Sequence, residues 1–294
     1  MKERVLIIGC GYVGLPLGAE LVRQGHEVFG LRRSTNAAGE LRSAGIILLP
    51  GDIAQPETLQ MISQPFDWVV NCAASGGGDA AAYRQLYLQG TRNVLAWLAT
   101  RPLLKYVYTS STSVYGQDDG SWVDESSAAE PSTDTGRILV ETENLLRSAA
   151  GERNFPSVIL RLAGIYGPER GYWFKRLLLG EARISGDGTR LLNIIHRDDV
   201  VGCIITALRQ AQGGEIYNAV DDEPVTQMEF FRWLCSRLNK PMPPRVSLDT
   251  VSERKRGVTD KKVSNHKLKQ ELGYRFKFAN FREGYAAEML RLGL

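Results

Sequence analysis

Residues Val5-Leu6-Ile7-Ile8-Gly9-Cys10-Gly11-Tyr12-Val13-Gly14 decide the fold. Four consecutive apolar residues suit a strand buried on both faces, at the centre of a parallel sheet. They run directly into a G-x-G-x-x-G turn, and a helical pattern follows at about 13–24. Each glycine has its own task in such a strand–turn–helix unit. Gly9 permits the tight turn, Gly11 lets backbone approach a pyrophosphate, and Gly14 lets the helix pack closely on the strand. Backbone amides at the helix start, around Tyr12 and Val13, then offer an anion site. Alone the spacing is weak; the flanking strand and helix make it a dinucleotide-binding signature.

The same rhythm continues. Val5–Ile8, Glu27–Leu31, Ile46–Pro50, Trp68–Asn71 and Tyr106–Ser110 read as strands. Helical patterns at about 36–44, 56–64 and 80–100 lie between the later ones. Such alternation predicts parallel pairing with helices on both faces, a doubly wound α/β sheet of the Rossmann type. A further helix is expected from about Thr133 to Ala149, then a strand at Val158–Leu162. After Gly167-Pro168 the rhythm breaks, with Gly171, Gly180, Gly186 and Gly188 punctuating shorter elements. Helices return at about Asp198–Gln210, Gln227–Leu238 and Phe281–Leu292. The expected organisation is a dinucleotide-binding domain over 1–165, with 190–220 returning to it. A smaller C-terminal substrate lobe is expected from 166–189 and 221–294.

Composition narrows the function classes. The 294 residues are 43% hydrophobic and 23% charged, ordinary for a globular protein with a large core. A net charge of +3 is too mild to argue for nucleic acid. Arg254-Lys255-Arg256 with Lys261-Lys262 is the nearest approach to a basic run, and reads as a solvated loop. Cys10, Cys72, Cys203 and Cys235 lack CxxC spacing and sit in apolar stretches, as buried reduced thiols of a cytoplasmic protein would. Cys10 reads as a small filler between two glycines. His26, His196 and His266 are scattered, so no metal site is expected. The first strand begins almost at once, so neither a signal peptide nor a membrane helix is expected.

The end of the second strand distinguishes two nicotinamide cofactors. A carboxylate there would bond the ribose 2′-hydroxyl of NAD. This chain offers Gly30-Leu31-Arg32-Arg33-Ser34, whose guanidiniums and hydroxyl suit a 2′-phosphate. NADP is therefore expected, with NAD as the alternative. Asp52 and Ile53 after the third strand place a carboxylate for the adenine amino group, and Cys72-Ala73-Ala74 after the fourth are small enough for close contact.

Further segments carry a family resemblance. Tyr108-Thr109-Ser110-Ser111-Thr112-Ser113-Val114-Tyr115-Gly116 is a serine-rich strand end leading into V-Y-G, and Thr91 with Asn93 matches G-T-x-N. Leu160-Arg161 through Tyr166-Gly167-Pro168 follows L-R-x-x-x-x-Y-G-P, and Ile195-His196-Arg197-Asp198-Asp199-Val200 follows I-H-V-D-D-V. Tyr217-Asn218 with Pro224-Val225-Thr226 and the Ser264–Tyr274 tail also fit. In these motifs the chain resembles the extended short-chain dehydrogenase/reductase family, which includes the NAD-dependent epimerases and dehydratases. The resemblance implies a nicotinamide cofactor and a small polar or nucleotide-sugar-like substrate. It also implies Ser111 as the hydroxyl bonded to the substrate oxygen, and a homodimer built on helices near 80–100 and 133–149.

The departures bear on chemistry. Where the family has Y-G-x-S-K, this chain has Thr135-Gly136-Arg137-Ile138-Leu139, and none of its tyrosines is followed four residues later by lysine. Tyr87 stands where the family has an asparagine, and one residue rather than three separates the first two glycines. These features are similar to atypical members of the superfamily. A tyrosine of pKa ~10 needs a neighbouring cation to exchange protons near neutrality. Threonine and leucine provide neither group. Arg137, Tyr115 and Tyr166 are candidate substitutes, each more readily explained by solvation or packing. The expected function is an NAD(P)-dependent oxidoreductase, epimerase or dehydratase with an atypical active site. A non-catalytic NAD(P)-binding redox sensor or partner protein is the alternative.

Overall fold

The computed structural model describes residues 2–34, 36, 38–77, 79–247 and 259–294. Of the basic run, Arg254, Lys255 and Arg256 lie outside the described residues.

The opening segment forms strand β1 (Arg4–Ile8), whose Val5–Ile8 are buried on both faces as their uniform apolarity requires. It pairs in parallel with β2 (Glu27–Arg32) on one side and β4 (Trp68–Asn71) on the other. With β3 (Ile47–Pro50), β5 (Lys105–Ser111) and the strands Ser157–Leu162 and Ile216–Ala219, it makes one seven-stranded sheet. The order is Ile216–Ala219, Ser157–Leu162, β5, β4, β1, β2, β3. The order reverses at β1, so the first and fourth crossovers leave a crevice at the strand C-termini.

Two apolar layers cover the sheet. One gathers Leu17 and Leu21 of the first helix (Gly14–Arg23) with Ile204, Ala207 and Leu208 of helix Arg197–Gln210. The other packs Leu59, Val94, Leu98 and Leu146 against Leu6, Ile8 and Tyr108. A third, aromatic core gathers Tyr166, Phe174, Phe230, Phe231, Phe281 and Tyr285 outside the sheet. The expected helix at 80–100 is interrupted: Ala80–Tyr83 and Gly90–Leu98 flank a π-helical turn at Arg84–Gln89. The expected helix at 56–64 is shorter, Pro56–Gln60.

Helix Asp134–Arg153 begins at Thr133, whose hydroxyl accepts from the Gly136 amide at 3.2 Å. Midway along it Glu143 meets Arg161 of the neighbouring strand at 2.6 Å, both almost wholly buried. Burial opposes the Arg161 charge, and the bonds from Glu143 outweigh it and hold the guanidinium protonated. Ser110 donates to Glu143 at 2.5 Å, and Arg161 donates to the Tyr115 hydroxyl at 2.8 Å. Tyr115 in turn donates to Asn218 Oδ1 at 2.9 Å.

Glu143→Ala should destabilise the protein by about 3–5 kcal/mol, because it leaves a buried guanidinium uncompensated. Urea unfolding of both proteins measures this. A loss under about 1 kcal/mol, the range of an exposed pair, would contradict the role given to the network.

Candidate functional site

A cleft of about 1340 Å³ runs along the C-terminal ends of the sheet strands. Its wall includes Gly9, Gly11, Tyr12 and Val13 after β1, Arg32, Arg33 and Ser34 after β2, and Asp52 and Ile53 after β3. Cys72, Ala73 and Ala74 after β4 and Ser111 at the end of β5 continue it. These residues come from separate loops, and the parallel topology brings them to one surface.

The glycine turn has the shape expected of a cradle. Gly9 has φ +91°, and a Cβ there would lie 2.6 Å from Ala73 backbone atoms. At Gly14 a Cβ would lie 2.4 Å from the Gly9 carbonyl oxygen, so this residue packs behind the cleft wall. Gly11 has no atom within 4 Å of the corresponding point, leaving its backbone open to the cleft. No side chain caps the helix that starts at Gly14. A diphosphate fits this arrangement: open backbone, a helix N-terminus and no acid in the first turn.

Two arginines that sequence reasoning did not select adjoin the turn. Arg170 stacks on the Tyr12 ring at 4.8 Å and Arg197 at 5.4 Å, and Arg170 also lines the cleft. Burial pushes the Tyr12 hydroxyl up to about 12 against the pull of both guanidiniums, so it stays protonated near neutrality. Cys10 is buried filler as expected, its thiol pushed up to about 12 by burial. Asp52 Oδ1 accepts from the Ala54 amide at 2.9 Å, shaping the loop that follows β3. Asn93, of the G-T-x-N match, donates to the Ile53 carbonyl at 2.7 Å and fastens that loop to helix Gly90–Leu98. At the end of β2, Arg32 approaches Glu40 no closer than 3.9 Å, a loose pair that a ligand phosphate could replace.

At the other end of the cleft the helix positions separate. Leu139 lines the wall, whereas Thr135 is not among the lining residues and its hydroxyl lies 3.4 Å from that of Thr133. Arg137 is turned to Asp134 at 2.6 Å on an exposed face. Tyr115 has its hydroxyl committed to Arg161 and Asn218, and Tyr166 is stacked on Tyr285 at 4.4 Å. Tyr87 and Leu139 both line the wall, and the Ser75 amide donates to the Tyr87 hydroxyl at 3.4 Å.

The solvated-loop reading fails for Lys261. This residue is 4% exposed and lines the cleft, because the Tyr115 carbonyl and the Thr259 hydroxyl accept from its ammonium at 2.9 and 2.8 Å. Nothing in the local sequence marks it, since Tyr115 is 146 residues away. Among the described residues, no cluster of His, Cys, Asp and Glu could hold a metal ion, and no helix is long and apolar enough to cross a membrane.

With the geometry in place, comparison with known proteins identifies relatives. Residues 5–219 match the family described as NAD dependent epimerase/dehydratase. The protein YeeZ of Escherichia coli (strain K12) is 30% identical over 287 residues, covering 94% of this chain and 96% of that one. A functionally unknown conserved protein from Silicibacter pomeroyi has a TM-score of 0.80 and 28% identity, over 99% of both chains. The UDP-glucuronic acid 4-epimerase of Bacillus cereus, solved with UDP-glucuronic acid and NAD, has a TM-score of 0.81 over 99% of both chains; at 22% identity it supports the shared fold.

Behind the wall, Asp221 is buried, and its Oδ2 has no hydrogen-bond partner among the described residues. Burial pushes its carboxyl up to about 8; the Glu223 amide opposes this, and the charges of Glu223, Asp222 and Asp199 reinforce it. The folded state thus binds this proton more tightly than the unfolded chain. Stability from this group is greatest in acid and falls as pH rises from the ordinary Asp pKa of ~3.9. The fall ends near pH 8. Asp221→Asn should flatten the decline in melting temperature between pH 5 and pH 8, relative to the parent. Parallel slopes in a calorimetric series would show that the carboxyl stays ionised throughout.

Proposed function

This chain belongs to the NAD-dependent epimerase/dehydratase family, and from that premise we propose that it binds a nicotinamide adenine dinucleotide along the cleft to oxidise or reduce a polar substrate. When bound, the cofactor would accept or supply a hydride at a carbon bearing a hydroxyl or carbonyl. The substrate is a small polar carbonyl or hydroxyl compound, of the class that includes nucleotide-linked sugars. UDP-glucuronic acid with the Bacillus cereus epimerase is one example in a protein of the same fold. The observation that carries this reading is the open backbone at Gly11, set between a Gly9 and a Gly14 that admit no side chain.

Each part of the wall has a task. Gly9, Gly11, Tyr12 and Val13 would hold the diphosphate, with Gly14 keeping the helix close behind them. Arg32, Arg33 and Ser34 would receive the ribose 2′-phosphate, which selects NADP over NAD. Asp52 and Ile53 would flank the adenine, and Cys72, Ala73 and Ala74 would permit close approach of the nicotinamide half. Ser111 would hydrogen-bond the substrate oxygen. The first 165 residues and 190–220 would form the cofactor unit, and 166–189 with 221–294 the substrate lobe.

Thr135 and Leu139, at the positions of the family's acid–base couple, make the site atypical. The cleft nevertheless stays open, with Leu139 and Tyr87 in its wall. That openness supports an enzyme over a binder whose substrate space is filled.

Calorimetric titration with NADP, NADPH, NAD and NADH tests the cofactor assignment. Tightest binding by a phosphorylated form is expected. Arg32→Ala with Arg33→Ala should then weaken NADP by roughly 10–100-fold, since charged hydrogen bonds are worth ~1.5–3 kcal/mol, and weaken NAD far less. Equal losses for the two would refute the phosphate clamp.

A further inference from the structure

A family enzyme without its tyrosine and lysine still needs a group to move the substrate's hydroxyl proton. That group must lie in the cleft wall, change protonation near neutral pH, and be free of a saturated hydrogen-bond network. Tyr115 is saturated, and Tyr166 is buried and held protonated. The guanidiniums of Arg170 and Arg190 remain charged at any working pH. Lys261 meets all three conditions.

We propose that Lys261 exchanges the substrate hydroxyl proton in this cleft, a role that rests on the cofactor-dependent reading above. The geometry is specific. Asn193 fixes the backbone on both sides of Lys261: its Nδ2 donates to the Lys261 carbonyl at 2.9 Å, and its Oδ1 accepts from the Val263 amide at 2.8 Å. Arg190 donates to the Thr259 carbonyl at 3.0 Å, steadying the residue that holds the amine. The other anchor, the Tyr115 carbonyl, lies four residues past Ser111, across the short Thr112–Val114 turn. The amine is thereby tied to the segment that presents Ser111.

The Tyr115 carbonyl can only accept, and the Thr259 hydroxyl accepts from the amine in this geometry, which decides what the nitrogen can do. A neutral amine donating two N–H bonds to Tyr115 and Thr259 has its lone pair at a remaining tetrahedral position, ready to accept a proton. Burial and the Arg190 charge lower the Lys261 ammonium to about 8, with Asp260 opposing, so both forms are populated near neutrality. In oxidation the substrate C–H electron pair leaves as hydride to the oxidised nicotinamide cofactor. The O–H proton passes to neutral Nζ, and the product is a carbonyl with an ammonium. In reduction the ammonium would return the proton to the oxygen of a carbonyl whose carbon takes hydride from the bound reduced cofactor.

Two measurements on the whole protein test this. In protein labelled with [13C]lysine, the Cε resonance missing from Lys261→Met reports Lys261 by NMR. It should titrate with a midpoint near pH 8 and shift on addition of NADPH or NADH. An amine charged beyond pH 10 and indifferent to both nucleotides would overturn the proposal. Reduction of 9,10-phenanthrenequinone, followed by loss of NADPH or NADH absorbance, supplies the second readout. The wild-type rate should fall as pH rises through about 8, where the ammonium is lost. Lys261→Met should be slower by ~10²–10⁴-fold and lack that limb. Its nucleotide affinity in calorimetry should stay within about threefold, under 1 kcal/mol. A variant that reduces the quinone as fast as wild type would also overturn the role of Lys261; where the wild type reduces no quinone, the NMR titration decides. A wild type that binds neither nucleotide refutes the cofactor reading instead.

Discussion

The Arg161–Glu143 pair is the constraint on which the Ser111 end of the cleft depends. Removing two charges from water is costly, and their attraction offsets that cost only if the remaining donors and acceptors are also satisfied. Here they are met by Ser110, Tyr115 and, through Tyr115, Asn218. Each partner sits on a different element: the last turns of β5, the segment after it, the long helix, and the two edge-side strands. The network therefore fixes five segments of backbone against one another at the level where the cleft begins. Asn218 carries the constraint further by donating to the Ser264 carbonyl, while Glu125 accepts from the Asn218 amide. The C-terminal segment that bears Lys261 is thus registered to the sheet at Ser264 and at Tyr115.

How much of this was legible in the sequence depends on the range of the interaction. The glycine turn and the parallel sheet follow from local patterns: a run of apolar residues, a glycine at each position where a Cβ would clash, and a regular alternation of elements. The members of the cleft wall also follow, because parallel strands place every strand's C-terminal end on the same edge. The charged network was only partly visible. Arg161 stands in a recognisable motif, but its pairing with Glu143, 18 residues away on the helix, needed the fold.

Lys261 shows where local reading fails. Beside Lys262 and near other basic residues, its side chain looks solvated. Its burial arises from Tyr115 and from a two-residue strand pairing, Trp122–Val123 with Lys262–Val263, too short to carry a periodic signal. Arg170 was missed for a related reason. Its place over Tyr12 is set by a turn in which Gly167 and Arg170 bridge and Glu169 adopts φ +61°, a local geometry that residue types alone do not specify. The π-helical turn at Arg84–Gln89 likewise lies inside an unbroken helical pattern.

An apolar side chain in the cleft wall bears on the electrostatics of more than its immediate neighbours. Leu139 puts an apolar side chain into the wall, adding desolvation and no charge to the groups near it. The hydroxyls of Tyr12 and Tyr115 fit that environment, since burial raises both. An amine responds in the opposite sense, because burial favours its neutral, proton-accepting form. The same desolvation that disables a tyrosine as a base therefore activates a lysine. In this cleft burial holds the Tyr12 and Tyr115 hydroxyls protonated and lowers the Lys261 ammonium to about 8.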